Sequence, residues 1–304
     1  MRRGPVIFGA CALALGAAAS ARAQQTAYAI ANGGSTLIKF QTNNPGGAVA
    51  VGNFNGANTF LDGIDFRPLN GQLYGYLDST DTLYTVNLTT ATLTAVASGS
   101  GASATNTNLL GMDFNPLIDR VRVVTDSTQN LVYNPNTNAA PTVATSLFYG
   151  AGDVNAARPA LIIDNAYTNN VAGLFGSTAQ YGIDYGLGTL VTIANNAGTL
   201  GTVGSLGIGL NGNAYVGFDI FTNLTGLNTA YALLDTTSGL SPGFYTVNLN
   251  TGAATSVGSL GGGFNQVSSL AVVTASAPEP ASLALLALGG LSGLVLRRRK
   301  RHGA

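Results

Sequence analysis

Between residues 24 and 276 this 304-residue chain has no cysteine, histidine, glutamate or tryptophan; its single cysteine, Cys11, and single histidine, His302, lie in the terminal segments. Disulfides therefore cannot hold the body together, and neither the usual zinc ligand sets nor a Ser-His-Asp or thiol nucleophile can be assembled there. General acid–base work would fall to Asp, Tyr or Lys39, so the expectation is a body that is not an enzyme. Charge is also scarce, at 9% of residues. Eight of the 13 basic residues sit in the terminal segments, leaving Lys39, Arg67, Arg120, Arg122 and Arg158 against twelve aspartates, a net charge of about −7 for the body. Such a surface repels phosphate polymers and excludes nucleic acid as a partner.

Long apolar runs occur only at the two ends. Val6 to Ala19 follows Arg2-Arg3 and precedes Ala21-Arg22-Ala23, the small-x-small form of a signal-peptidase site, so residues 1–23 read as a signal peptide. No extended twin-arginine motif follows Arg2-Arg3, and Cys11 falls too early in the run for lipidation. At the other end come Pro278-Glu279-Pro280, the apolar stretch Ala281 to Leu296, and the cations Arg297, Arg298, Arg299, Lys300 and Arg301. Sixteen helical residues reach roughly 24 Å, short of a ~30 Å hydrocarbon core, and the cations hold that end in the cytoplasm. This reads as a short transmembrane helix serving as a transient anchor. Segment 276–304 resembles the PEP-CTERM sorting signal of Gram-negative bacteria. The resemblance implies an exported protein, cleavage near the motif by an exosortase, and delivery to the outer surface or extracellular matrix.

The body, 24–275, repeats. Gly63-Ile64-Asp65-Phe66-Arg67-Pro68 recurs as Gly111-Met112-Asp113-Phe114-Asn115-Pro116 and, in shorter form, as Gly217-Phe218-Asp219-Ile220. Leu83-Tyr84-Thr85-Val86-Asn87-Leu88 is echoed by Phe244-Tyr245-Thr246-Val247-Asn248-Leu249. Short β-rich segments are separated by Gly, Asn, Asp, Ser and Thr, a pattern of strands joined by tight turns. The spacing from Ile64 through Met112, Ile162 and Phe218 to Ser268 stays near 50 residues. Four strands per repeat at that period predict an all-β fold, a β-propeller of about five blades. The N-terminal end of the body supplies three strands, around Ala27 to Ile30, Leu37 to Phe40 and Val49 to Val51. Its C-terminal end supplies a single strand, Val267 to Val273, and pairing the two ends would close the ring. A β-sandwich is the rival, but it explains neither the period nor the three-plus-one split. The partition of 141–210 is left open.

Residues Gly63 to Pro68, Gly71 to Tyr74, Leu83 to Leu88, Asp113 to Pro116, Asp119 to Val124, Asp126, Gln129 to Leu131 and Tyr167 to Asn170 resemble an uncharacterised family of bacterial extracellular domains, often joined to PEP-CTERM tails. That family implies fold and compartment, and brings no established activity.

Among candidate sites, Asp65, Asp113, Asp219 and Asp164 occupy matching places on the inner strands. If they converged on a central channel they would suit a hard cation such as calcium. The favoured reading is that each caps its own turn, so no metal or other cofactor is expected. Arg120 and Arg122 share one face of a strand and could grip an acidic sugar, but the favoured reading is an inter-blade ion pair to Asp119, Asp126 or Asp113. Tyr74, Tyr76, Tyr84, Tyr133, Tyr167, Tyr181, Tyr231 and Tyr245 read as blade packing. The expected function is that of a non-enzymatic cell-surface or matrix protein. The alternatives are a propeller that binds polysaccharide or another surface protein, then a calcium-dependent hydrolase.

Overall fold

A computed structural model describes residues 24–55, 59–98, 109–211, 215–236 and 242–275. Residues 1–23 and the tail 276–304, with Pro278, Glu279, Pro280 and the terminal cations, lie outside the described residues. Strands appear in chain order as β1 (Thr26–Ala31), β2 (Thr36–Gln41) and β3 (Asn44–Asn53), then β4 (Gly63–Phe66), β5 (Leu73–Leu77), β6 (Thr82–Val86) and β7 (Leu93–Ser98). Next come β8 (Leu110–Asn115), β9 (Arg120–Thr125), β10 (Asn130–Tyr133), β11 (Thr142–Val143) and β12 (Phe148–Tyr149). They are followed by β13 (Ile162–Tyr167), β14 (Gln180–Asp184), β15 (Thr189–Ile193) and β16 (Thr199–Ser205). Last are β17 (Val216–Thr222), β18 (Asn228–Leu234), β19 (Gly243–Val247), β20 (Ala254–Ser259) and β21 (Ser268–Val272). Two three-residue 3-10 turns, Asp78–Thr80 and Asn195–Ala197, are the helical elements among the described residues, and no helix there is long and apolar enough to cross a membrane.

These strands form five sheets, the blades of a propeller. Blade 1 runs β21-β1-β2-β3, blade 2 β4 to β7, blade 3 β8 to β11, blade 4 β13 to β16 with β12 added outside, and blade 5 β17 to β20. The expected closure is observed: β21 pairs antiparallel with β1, Ala27 opposite Val272 and Ala29 opposite Leu270. Joining the first and last strands in one sheet removes the free inner edges a linear array would leave. Within 141–210, the outer strand of blade 3 shrinks to two residues, and β12 joins β16 in parallel as a fifth strand of blade 4.

Each blade is apolar on both faces, and the core is divided into wedges between blades. One wedge joins Ala29, Ile38 and Phe40 of blade 1 to Tyr231, Leu233 and Phe244 of blade 5. Others join Ile163 and Ile183 to Phe218 and Ala232, Ile30 and Leu37 to Ile64 and Phe66, and Tyr74 and Tyr76 to Phe114 and Val121. Tyr74, Tyr76, Tyr133, Tyr167 and Tyr231 are buried, while Tyr84, Tyr181 and Tyr245 pack half-buried against these wedges.

The first strand of each blade lies innermost, and all five run in the same direction: residues early in one contact early residues of the next, and late contact late. A Cβ at Gly63 would stand 2.8 Å from Met112 Cβ, and one at Gly217 2.9 Å from Leu270 Cβ. At Gly111 an added Cβ would overlap the backbone of Asp164. The glycine of the repeated motif is thus a spacing requirement, set by how closely inner strands approach around the axis.

Candidate functional site

With side chains alternating along a strand, the aspartate two residues after each motif glycine points to the same side, toward the next blade. Asp65 Oδ2 accepts the Phe114 amide at 2.8 Å, Asp164 Oδ2 that of Phe218 at 2.7 Å, and Asp219 Oδ2 that of Val272 at 2.5 Å. Asp113 takes the backbone amide of Tyr167, and Ser269 Oγ accepts the Ile64 amide at 2.9 Å. Five side chains therefore link blades 2 to 3, 3 to 4, 4 to 5, 5 to 1 and 1 to 2, a complete circuit. The other carboxylate oxygen of Asp65, Asp164 and Asp219 accepts the amide of the following residue in its own strand. The expectation of turn caps is corrected here: the partners are in neighbouring blades about 50 residues away, because the motif sits inside the inner strand rather than at its end.

The carboxylates also converge. Ligand atoms of Asp65, Asp113 and Asp219 lie within 4.8 Å of one another, and each residue is at most 4% exposed, so the axis is closed at this level. Burial, followed by repulsion from neighbouring carboxylates, pushes Asp65 and Asp113 well above the ordinary carboxylate range. Burial likewise raises Asp164 and lifts Asp219 to about 7. The set can hold protons at neutral pH. Its oxygens have the hardness a calcium ion prefers, but several are already committed to backbone amides.

The arginines serve the same joints. Arg67 Nε donates to Asp119 Oδ1 at 2.7 Å and Nη2 to Asp119 Oδ2, while Nη1 reaches Tyr74 and Nη2 also reaches Asn136. Among the described residues this is the one ion pair, and it ties blade 2 to blade 3. The Arg67 bonds hold Asp119 below the ordinary carboxylate range. Arg122 is 3% exposed and donates to Asn130 Oδ1 at 2.6 Å, to Asn196 Oδ1 of blade 4 at 2.8 Å and to the Tyr167 hydroxyl at 3.3 Å. Its donors face neutral groups, two of them, Asn130 and Tyr167, inside the protein. Arg120, half-exposed, donates to the carbonyls of Ile118 and Asp119. The structure thus does not bring the two guanidinium groups together as one exposed pair. Arg67 as the ion-pair partner and Ser269 as fifth link were missed, although Ser269 stands 50 residues after Asp219.

Two grooves occupy matching places on blades 5 and 2. The larger, about 630 Å³, is lined by Tyr181, Asn228, Thr229, Asn248, Asn250 and Thr255 among others; the smaller, about 320 Å³, by Gln72, Thr85, Asn87, Leu88, Thr92 and Thr94 among others. The repeated Tyr-Thr-Val-Asn-Leu segments supply both, and neither lining contains a charged residue.

Residues 36–271 match the family described as Domain of unknown function (DUF4394). The chain belongs to that family. Residues 276–300 match the PEP-CTERM protein-sorting motif, so this DUF4394 protein is exported and sorted to the cell envelope, with processing by an exosortase implied. The comparison with curated proteins yields no match. A structure of a protein of unknown function from Bacteroides thetaiotaomicron aligns with a TM-score of 0.45 at 14% identity, over 76% of this chain. This chain spans 58% of that protein. A structure of a putative 6-phosphogluconolactonase from Bacteroides uniformis aligns with a TM-score of 0.39 at 15% identity, over 79% of this chain and 83% of that one.

Proposed function

We propose that the chain is a non-enzymatic propeller, anchored transiently in the membrane by its tail and then released or attached, that acts on the outer surface or in the extracellular matrix of a Gram-negative cell. The observation that carries this reading is the axis, around which the five blades are arranged. Here the axial aspartates are buried and spent on bonds between blades, and the body offers no histidine, cysteine or glutamate beside them. No cofactor is required. A second reading, polysaccharide binding, is favoured by the paired uncharged grooves: amides, hydroxyls and the Tyr181 ring suit neutral sugars better than uronates.

Fractionation of cells producing the full chain, with and without Pro278→Ala, Glu279→Ala and Pro280→Ala, tests the placement. The parent is expected at the cell surface or in the medium and the triple variant in the inner membrane. Identical distributions would remove the sorted-surface reading. Applied to uncharged and uronate oligosaccharides, the parent should retain the uncharged set, and retention of uronates alone would remove the second reading.

A further inference from the structure

Because all five inner strands run the same way, the loops that leave their C-terminal ends crown a single mouth. Contacts between loops agree: Arg67 in the β4–β5 loop pairs with Asp119 in the β8–β9 loop, and the side chain of Asn228, at the start of β18, bonds both ways with Asn169 of the β13–β14 loop. These loops carry Leu69 (62% exposed), Leu117, Leu174, Leu224 and Leu227 (64%), together with Ile118. They include every exposed leucine among the described residues. Single exposed apolar residues are ordinary, but concentration of one type on four successive loop tips marks a surface.

Acidic residues are distributed the other way. Asp119, already paired with Arg67, is the one acid on the leucine-bearing loops. Asp62, Asp78, Asp81, Asp126, Asp184 and Asp235 lie at the opposite mouth, where the inner strands begin; Asp62 accepts the Asp78 amide, and the amides of Asp126 and Asp235 bond Leu109 and Tyr215 just before β8 and β17. The strand that leads into the sorting tail ends at the leucine mouth. The Val273 amide bonds Thr26, and Asp219 holds Val272 there. From Val272 to Ala281, where the apolar stretch begins, nine residues span at most about 30 Å.

We propose that, while the tail is inserted, the propeller rests on the lipid bilayer with this mouth down, the leucine tips entering the headgroup region and the acidic mouth turned away. This rests on the tail acting as a membrane anchor. The occupant follows from three properties of one face: apolar tips, a near absence of acids, and the chain's own exit point. Acidic residues there would be repelled by anionic lipid, and their segregation to the far mouth removes that cost. Insertion of a few leucines is weak alone, but the short tether makes it intramolecular. Cleavage of the tail would remove the tether and release the mouth.

Site-directed fluorescence on the full chain, reconstituted in phosphatidylethanolamine–phosphatidylglycerol vesicles, tests the orientation. In a Cys11→Ser background, Leu69→Cys, Leu224→Cys and, at the opposite mouth, Ser79→Cys would each carry an environment-sensitive probe. Nitroxide-bearing lipids are expected to quench the probes at 69 and 224 several-fold more than that at 79, and aqueous iodide to do the reverse. Equal quenching at both mouths would overturn the proposal. Protection at 69 and 224 from both quenchers would also overturn it, pointing to a protein partner on that face. Detection of the membrane-inserted tail in the same vesicles separates failed docking from failed anchoring.

Discussion

At the axis of the propeller, five side chains in five blades do one job, and every blade interface receives its own hydrogen bond from Asp65, Asp113, Asp164, Asp219 or Ser269. At the outer edge the blades diverge: β7 and β20 have six residues each, β11 has two, and β12 joins blade 4 in parallel. The difference follows from closure. A ring shuts only if every inner strand approaches its neighbour at nearly the same distance, whereas an outer strand faces water and has no second partner to satisfy. Glycine and aspartate therefore recur at the axis, and the edges vary in length and composition.

The largest expected effect comes from violating the axial spacing. Gly111→Ala places a Cβ against the Asp164 backbone, which cannot rotate aside, while Gly152→Ala adds the same atom where nothing lies within 4 Å. Urea unfolding should show a loss of about 3 kcal/mol for the first and less than about 0.5 kcal/mol for the second. Similar midpoints would mean that the axis can open at little cost.

A smaller effect separates the two arginines of β9. Arg122→Ala leaves the buried Asn130 oxygen without its donor and gives up the bond to the exposed Asn196, and should cost roughly 2 kcal/mol. Arg120→Ala gives up bonds to two nearby carbonyls at the surface and should cost less than about 0.5 kcal/mol. Equal losses in urea midpoint would show that Arg122 is not the clasp between blades 3 and 4 that its geometry describes.

The same contrast explains what could be read from the sequence. Period and closure were legible because each inner strand faces the same constraint, so Gly63, Gly111 and Gly217 recur with aspartate two residues later. The role of those aspartates was not legible, since their acceptor geometry is decided by amides about 50 residues away. Asp164 falls one place late because a register shift between Ile162 and Asp164 inserts a residue, and serine replaces aspartate at 269. Period two correctly put Arg120 and Arg122 on one face. It could not show that Arg122, further into β9, is covered by blade 4 while Arg120 sits at the mouth. The leucine tips lie in loops, where periodicity carries no signal.

The most modest effect is in the pH dependence, and its sign follows from the axis. A carboxyl raised by folding binds protons more tightly in the native state, so stability from it is fully present below the unfolded value of 3.8 and is lost as pH rises through the folded value. Asp219, at about 7, and Asp62, lifted by burial to about 6, therefore place a decline between pH 4 and 7, and Asp65, Asp113 and Asp164 extend it upward. Asp119 at the rim is lowered and acts oppositely: its contribution is present above the unfolded value and is lost as pH falls below it. Thermal unfolding should accordingly give a higher Tm at pH 5 than at pH 8, with a further drop under strongly acid conditions. Asp219→Asn, which cannot titrate, should flatten the decline between pH 4 and 7 while leaving the strongly acid limb in place. A Tm that instead rises from pH 5 to 8 would mean the axial carboxylates are ionised and balanced by a bound cation, and a calcium-dependent increase in Tm at pH 8 would identify it.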